Sequence, residues 1–373
     1  MQSCWHFDTH KYTITRFNCL FFGVQILVLP LPCLIITVLS ALGNISETPW
    51  GSSTGVNRGR TALLGCELGC LTHLTNTGCL CAGTCDFWPV SALYFAWIIF
   101  DWDAPEQGMG SYSLIYCIYH FRDYFPIQLV KTHSLLPSHN YIIGAHPHGI
   151  LCVGAFCNFI TESTGFSEKF PGIRPFLATL AGNFRLPVFR EYLMSGGLCP
   201  VTRRAMGYLL SQNGSGNAVA IVIGGAAESL SCQPGVTTLI LKNRKGFVRL
   251  ALQYGAHLVP AFSFGENDLF RQVVFEEGSW MRGIQRKFQK LMGFAPCVFY
   301  GRGLTSIHSR GFLPYPKPVT TVIGEPVTVP RIKEPSHETV DLYHAMYIRS
   351  LLKLFNDHKA KYGLSEADEL RIL

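Results

Sequence analysis

The chain has 373 residues, of which 48% are hydrophobic and only 15% charged, enough to bury one sizeable core without requiring two domains. Its formal net charge of +7 is scattered, with no continuous basic stripe or reading motif, so nucleic acid is excluded as the expected partner; anionic lipid headgroups or a polyanionic cofactor suit the scatter better. The fourteen cysteines argue against a disulfide framework and against a zinc site: Cys66, Cys70, Cys79, Cys81 and Cys85 form no CxxC pair and lack a matching His set, and those from Cys117 to Cys297 stand singly among apolar neighbours.

Apolar residues collect before residue 105, whereas Lys, Arg, Asp and Glu crowd the part after 120. This asymmetry predicts a membrane anchor over 1–105 joined to a cytosol-facing domain over 106–373. Segment 17–42 is almost entirely apolar, with Asn18 and Gln25 as its clear polar breaks, and exceeds the ~20 residues that a bilayer-crossing helix needs. Pro30 and Pro32 would kink or shorten that helix, and a cleaved signal peptide is the rival reading. The second apolar segment, about 80–100, carries Trp88, Tyr94 and Trp97, with Trp102 just beyond, as in an interfacial aromatic belt. Asp86 would there need a partner or a place at the interface. Together the two segments predict a membrane-embedded helical hairpin entering and leaving on the cytosolic side, with a single span plus an embedded helix as the alternative.

From Tyr141 onward, strand and helix signals alternate. Residues 140–145 read as a strand, 150–159 as a helix, 217–223 as a buried strand and 244–252 as a helix. Residues 257–264 and 320–326 read as strands, and 340–361 as an amphipathic helix with Leu342, Met346, Leu351, Leu354 and Phe355 on its apolar face. Such alternation predicts an α/β fold, a mixed sheet flanked by helices, with the site on loops at strand ends. No internal repeat is present.

Between the first strand and its helix stands His146-Pro147-His148-Gly149. Proline holds the residue before it extended, and residues two apart on extended chain point to one side, so both imidazoles are expected to face one pocket. Gly149 and the helix after it place His148 near a helix N-terminus, whose dipole disfavours imidazolium and keeps the ring neutral, as a general base must be. Metal ligation is the rival for paired histidines, but it needs further ligands, and His257 and His308 are not well placed. A carboxylate that orients the other ring nitrogen completes such a base. Glu228, just past a hydrophobic strand and two glycines, is the candidate. Gly224 and Gly225 allow a tight turn and close backbone approach, with N–H groups there available to an oxyanion or phosphate. Lys242, Arg244, Lys245 and Arg249 form the densest basic cluster, a phosphate-binding set or a solvated helix face. Arg302 within Tyr-Gly-Arg-Gly is a further candidate.

These residues resemble the diacylglycerol acyltransferase 2 family. The likeness is carried by His146-Pro-His-Gly, Arg122-Asp-Tyr-Phe-Pro, Glu191-Tyr-Leu-Met-Ser-Gly-Gly, Gly224-Gly-Ala-Ala-Glu-Ser, Arg244-Lys-Gly-Phe-Val and Phe264-Gly-Glu-Asn, and runs from about residue 87 to the C-terminus. More distantly, Lys245-Gly-Phe to Val259-Pro resembles glycerolipid acyltransferases with a His-x4-Asp motif, although no Asp stands at that spacing here. The resemblance implies a glycerolipid-acyltransferase-like fold, acyl-CoA and diacylglycerol as substrates without a separate cofactor or metal, and membrane lipids as surroundings. It also implies residence at the endoplasmic reticulum membrane and the lipid droplet surface; self-association into a homo-oligomer stays open. The residues themselves make His148 or His146 the candidate base, with Glu228 as its hypothesised partner and Pro147, Gly149, Gly224 and Gly225 shaping the pocket. Lys242, Arg244, Lys245, Arg249 and Arg302 are the expected phosphate contacts; Tyr124, Phe125, Pro126 and the stretch from Phe184 to Arg190 are candidates for an acyl groove, with hydrophobic core the preferred reading for most of those aromatics. No cysteine has an identifiable activating partner, so thiol nucleophilic catalysis ranks low. Monoacylglycerol or a long-chain alcohol as acceptor, and a catalytically silent lipid-binding protein, are the alternatives.

Overall fold

The computed structural model describes residues 88–107, 119–187, 189–294, 296–303 and 310–373. The expected anchor helix over 17–42 lies outside them, as do residues 80–87 of the second apolar segment. The rest of that segment is helix α1 (Trp88–Phe100), whose Leu93, Trp97, Ile99 and Phe100 are exposed, Phe100 at 92%. Among the described residues no helix is long and apolar enough to cross a membrane.

Seven strands form one mixed sheet. In chain order they are β1 (Gln128–Lys131), β2 (Tyr141–His146), β3 (Arg174–Thr179), β4 (Leu198–Pro200), β5 (Asn217–Val222), β7 (His257–Phe264) and β11 (Thr320–Ile323). Short strands β6 (Thr238–Leu239), β8 (Arg271–Gln272), β9 (Phe299–Arg302), β10 (Arg310–Gly311) and β12 (Arg371–Ile372) make two small sheets beside it. The large sheet runs β1-β11-β7-β2-β5-β3-β4. Its five strands from β7 to β4 are parallel, and β11 joins β7 antiparallel. Strand β2 is central, and all six of its residues are buried. A continuous apolar run is what a strand covered on both faces requires. The expected strand 257–264 is met residue for residue by β7, whereas β11 stops three residues short of its expected end.

Helices cover both faces. Helix α2 (Tyr119–Tyr124) leads into β1. On one face α3 (Val153–Ile160) and α4 (Phe166–Lys169) pack Phe156, Phe159, Phe166 and Phe170 against Tyr141, Ile143 and Ala145 of β2. α5 (Phe189–Ser195) follows β3 and packs Leu193 into the same core. On the opposite face lie α6 (Arg203–Ser211), α8 (Gly246–Tyr254) and α10 (His337–His358), packed against Ile142. Two further helices, α7 (Gly225–Ser229) and α9 (Trp280–Met292), stand at the C-terminal ends of the strands. Local chemistry sets the helix ends. Thr202 Oγ1 accepts from Ala205 N at the start of α6, and Ser336 Oγ from Thr339 N at the start of α10, as N-caps do. Gly255, at φ +69, closes α8.

The apolar face expected for the last helix is corrected. Val340, His344, Tyr347, Leu351, Leu354 and Phe355 are its buried residues, whereas Leu342 and Met346 are 58% and 39% exposed. The inward stripe follows positions 340, 344, 347, 351 and 354, the i, i+3, i+4 spacing of one helix face, and it takes in a histidine and a tyrosine that hydropathy alone assigns outward.

Arg190 fixes the end of α1 to this body. Its buried guanidinium donates to the carbonyls of Ile98 and Asp101 and pairs with Asp101 Oδ2 at 3.2 Å and Glu191 Oε1 at 3.3 Å. Tyr94 Oη donates to Glu191 Oε2 at 2.8 Å. The Arg-Glu pair at the start of α5 thereby acts as the joint between the apolar helix and the sheet.

Candidate active site

The parallel strands β2, β3, β4 and β5 deliver their C-terminal ends to one edge of the sheet, the usual place for a site in such folds. A cavity of about 430 Å³ opens there. Its walls are largely apolar, with Leu151, Phe156, Leu177, Leu198 and Ile221 among them, and His148, Ser229 and Arg244 are among its polar side chains.

The two histidines part company. Alternation along β2 turns Ile142, Gly144 and His146 toward the α10 face, where His146 is fully buried with Nε2 3.0 Å from the hydroxyl of Tyr347. That hydroxyl also donates to the carbonyl of Gly144 at 3.2 Å, and a Cβ at Gly144 would collide with it. Burial lowers the His146 pKa to about 3, so the ring stays neutral. The expectation that both imidazoles share a pocket fails because the strand, and with it the two-residue alternation, ends at His146; the peptide to the buried Pro147 is cis. His148 belongs to the loop beyond and lines the cavity.

His148 Nδ1 lies 2.7 Å from Ser229 Oγ and 3.1 Å from the carbonyl oxygen of Gly149. A carbonyl only accepts, so this pairing calls for the Nδ1–H tautomer and leaves the Nε2 lone pair as the basic position. Burial lowers the His148 pKa. The expected helix dipole is not the cause. Helix α3 starts only at Val153, and its first two N–H groups, of Val153 and Gly154, are taken by Glu266 at 2.7 and 2.8 Å.

Glu228 is also placed differently from expectation. Its Oε1 accepts the backbone N–H of His148 at 2.6 Å and its Oε2 that of Ile240 at 2.8 Å. The carboxylate therefore holds the chain that carries the ring, and the ring nitrogen it was expected to orient is met by Ser229, one residue on. Burial pushes the Glu228 carboxyl above its ordinary range, opposed by those two N–H groups and by Arg244. Gly224 must be glycine, since a Cβ there would run into the Glu228 carboxylate, and Gly225, at φ +59, lines the cavity with Ala226. Gly149, at φ +62, presses on Glu266.

Cys152 is the cysteine nearest the ring, yet it gains no activating partner. Its Sγ is 3.4 Å from His148 Nδ1 and 3.6 Å from Nε2. Near-equal distances to both ring nitrogens are not a directed hydrogen bond, and burial, then Glu266 and Glu228, raise its pKa well above the ordinary thiol value. The group is held as a thiol, which is not the nucleophilic form.

The basic cluster divides. Arg244, Lys245 and Arg249 line a second groove of about 490 Å³, joined by Arg203 from α6. Val201, Ile221 and Arg244 line both spaces, so the groove and the His148 cavity adjoin one another across these side chains. Lys245 also pairs with Asp341 at 2.6 Å. Lys242 is exposed and lines neither space; its backbone N–H donates to the carbonyl of Leu373. Arg302 is remote from both: it is buried on β9 and donates to Tyr124 Oη at 2.7 Å. Tyr124 itself donates to the carbonyl of Pro314, Phe125 and Phe184 are core residues, Pro126 is exposed, and none of the four lines the cavity. The cavity is lined instead by Leu151, Phe156, Leu177, Leu180 and Leu198.

Ser229, Glu266 and Arg203 are the residues that sequence reasoning missed. Ser229 was visible as the last residue of Gly-Gly-Ala-Ala-Glu-Ser, and Glu266 as a carboxylate two residues past a buried strand. Arg203 carried no signal, because it reaches the groove from a different helix. Among the described residues no three His, Cys, Asp or Glu side chains are grouped to hold a metal ion.

The profile of the family described as diacylglycerol acyltransferase matches residues 82–373. The chain is 56% identical over 345 residues to diacylglycerol O-acyltransferase 2 of Danio rerio, covering 90% of this chain and 95% of that protein. Against diacylglycerol O-acyltransferase 2 of Homo sapiens it is 60% identical over 290 residues, 77% of this chain and 75% of that one. Among solved structures, the 1-acyl-sn-glycerophosphate acyltransferase of Thermotoga maritima aligns with a TM-score of 0.32 and 15% identity, over 63% of this chain and 75% of that chain.

Proposed function

The chain belongs to the diacylglycerol acyltransferase family, and from that membership we propose that it transfers a fatty acyl group from acyl-CoA to the free hydroxyl of 1,2-diacylglycerol, forming triacylglycerol. One juxtaposition supports this most directly: a neutral imidazole lines an apolar cavity that shares Arg244 with an adjoining basic groove. The acyl chain would occupy the apolar space and the coenzyme A phosphates the groove, where arginine side chains suit phosphate oxygens.

In the proposed reaction, Nε2 of His148 takes the proton of the acceptor hydroxyl as its oxygen attacks the thioester carbonyl. Backbone N–H groups of the Gly224–Gly225 turn stabilise the tetrahedral oxyanion. Collapse expels coenzyme A as thiolate, which takes the proton back from the imidazolium, and no acyl-enzyme forms. Ser229 and the Gly149 carbonyl hold Nδ1, and Glu228 holds the backbone of His148. The exposed apolar side of α1, together with the segment before it, would seat the chain in the endoplasmic reticulum membrane and on lipid droplets, with the catalytic body in the cytosol. Diacylglycerol would then enter sideways from the lipid.

The deciding assay supplies radiolabelled acyl-CoA with diacylglycerol, monoacylglycerol or a long-chain alcohol. Triacylglycerol is the expected main product; a wax ester or diacylglycerol as main product would move the protein to a sibling specificity, and no product at all would sink the enzyme reading. Within the same assay, Arg244→Ala is expected to raise KM for acyl-CoA by about tenfold with kcat much less affected, the result of losing one charge-assisted phosphate contact.

A further inference from the structure

Two buried carboxylates, Glu228 and Glu266, grip the loop that carries His148, and only the first figures in the reaction above. Glu266 is buried, in the Phe264-Gly-Glu-Asn turn that follows β7. Its Oε1 accepts the N–H of Val153 at 2.7 Å and its Oε2 that of Gly154 at 2.8 Å. Its side chain also lies against Gly149, where a Cβ would sit 2.8 Å from Cγ and 3.0 Å from Oε1. The turn is itself anchored on both sides. Gly265, at φ +89, passes so close to Pro318 that a Cβ would collide with its carbonyl, and Asn267 Nδ2 donates to the carbonyl of Val236 at 2.9 Å.

We propose that Glu266 is a positioning residue for the His148 base: by holding residues 149, 153 and 154 it fixes the far end of the loop whose near end Glu228 holds, and so keeps the ring aimed into the cavity. This rests on the acyltransferase reading of the site. The chemistry demands a carboxylate. Two N–H donors converge on two separate oxygens, and an amide has only one oxygen to offer, so Gln would turn its own NH2 group toward one of the donors.

The test uses the full chain in detergent micelles with oleoyl-CoA and diolein, comparing wild type, Glu266→Gln, Glu266→Asp and Leu210→Ala. The last removes core volume at the opposite end of β2 and controls for lost stability. Glu266→Gln is expected to lower kcat about 10- to 100-fold, as a misplaced catalytic group does, with KM for acyl-CoA held within about threefold. Amide hydrogen exchange over residues 148–156 should accelerate selectively, whereas Leu210→Ala should leave kcat per folded molecule near wild type. Glu266→Asp, which keeps both oxygens on a shorter arm, should retain more turnover than Gln.

Folded Glu266→Gln with kcat within about twofold of wild type, or with unchanged exchange over 148–156, would overturn the proposal. So would a loss confined to KM. If the Gln variant does not fold, Glu266→Asp decides: a reduced kcat with faster loop exchange supports the positioning role, and wild-type values for both overturn it. Wild-type protein that turns over no acyl-CoA is a different failure, that of the acyltransferase reading itself.

Discussion

Replacing His148 with Ala is expected to lower kcat for triacylglycerol synthesis by about 10²–10⁴-fold, the range that a positioned general base contributes, while the protein still sediments with membranes. The expectation follows from the ring's surroundings. It is the imidazole that lines the cavity, its Nδ1 is engaged by Ser229 and Gly149, and burial keeps its pKa below the ordinary 6.5. A lowered histidine pKa means that the ring is already the free base at pH 7, so its own protonation removes activity only on the acid side of 6.5. His146→Ala should behave differently. That ring sits on the opposite face against Tyr347, so the change should reduce stability and leave an active fraction with wild-type KM. Equal loss of kcat from both variants at equal folded concentration would show that the two rings act together and that the assignment to His148 is wrong.

Glu228→Ala is expected to reduce stability near the site. It strips a partner from the N–H of His148 and from that of Ile240; a fully buried donor left unpaired costs about 1–3 kcal/mol, and since both bonds are only partly buried the pair is expected to cost about 1–3 kcal/mol together. Turnover should fall as well, because the His148 backbone loses its anchor. The pH at which activity is half lost on the acid side should barely move. A carboxylate hydrogen-bonded to the ring stabilises imidazolium and raises its pKa, whereas one that grips only backbone does not. Glu228→Gln separates the two roles. A downward shift of the acid limb by about a unit, with stability unchanged, is the signature of a ring-orienting carboxylate; lower stability with an unmoved limb is the signature of the grip seen here.

Much of the fold was legible in the residues alone. The strand over 257–264 and the burial of 217–220 follow from apolar runs of strand length, and the helix that begins near Gly246 from its own amphipathic period. The junction at His146-Pro-His-Gly was found because proline and glycine punctuate the chain wherever they stand. The last helix was located, but Leu342 and Met346 were misassigned because hydropathy ranks them above Tyr347 and His344. The sheet instead buries whichever stripe faces Gly144, and that is the stripe with the tyrosine.

What the sequence by itself determined was therefore local: the α/β alternation, the motif at a strand end, the glycines of the Gly224–Gly225 turn and the apolar character of α1. Only the tertiary structure decided that His146 and His148 lie on different faces, that Ser229 rather than Glu228 meets the ring, that Glu266 closes the far end of the loop, and that Arg203 joins the basic groove while Lys242 and Arg302 do not. The physical reason is one of range. Period and propensity depend on neighbours a few residues away, whereas the partner of a ring nitrogen or a buried carboxylate is set by strand order and register, which bring residues 148, 229 and 266 together at one edge of a sheet from three different connections.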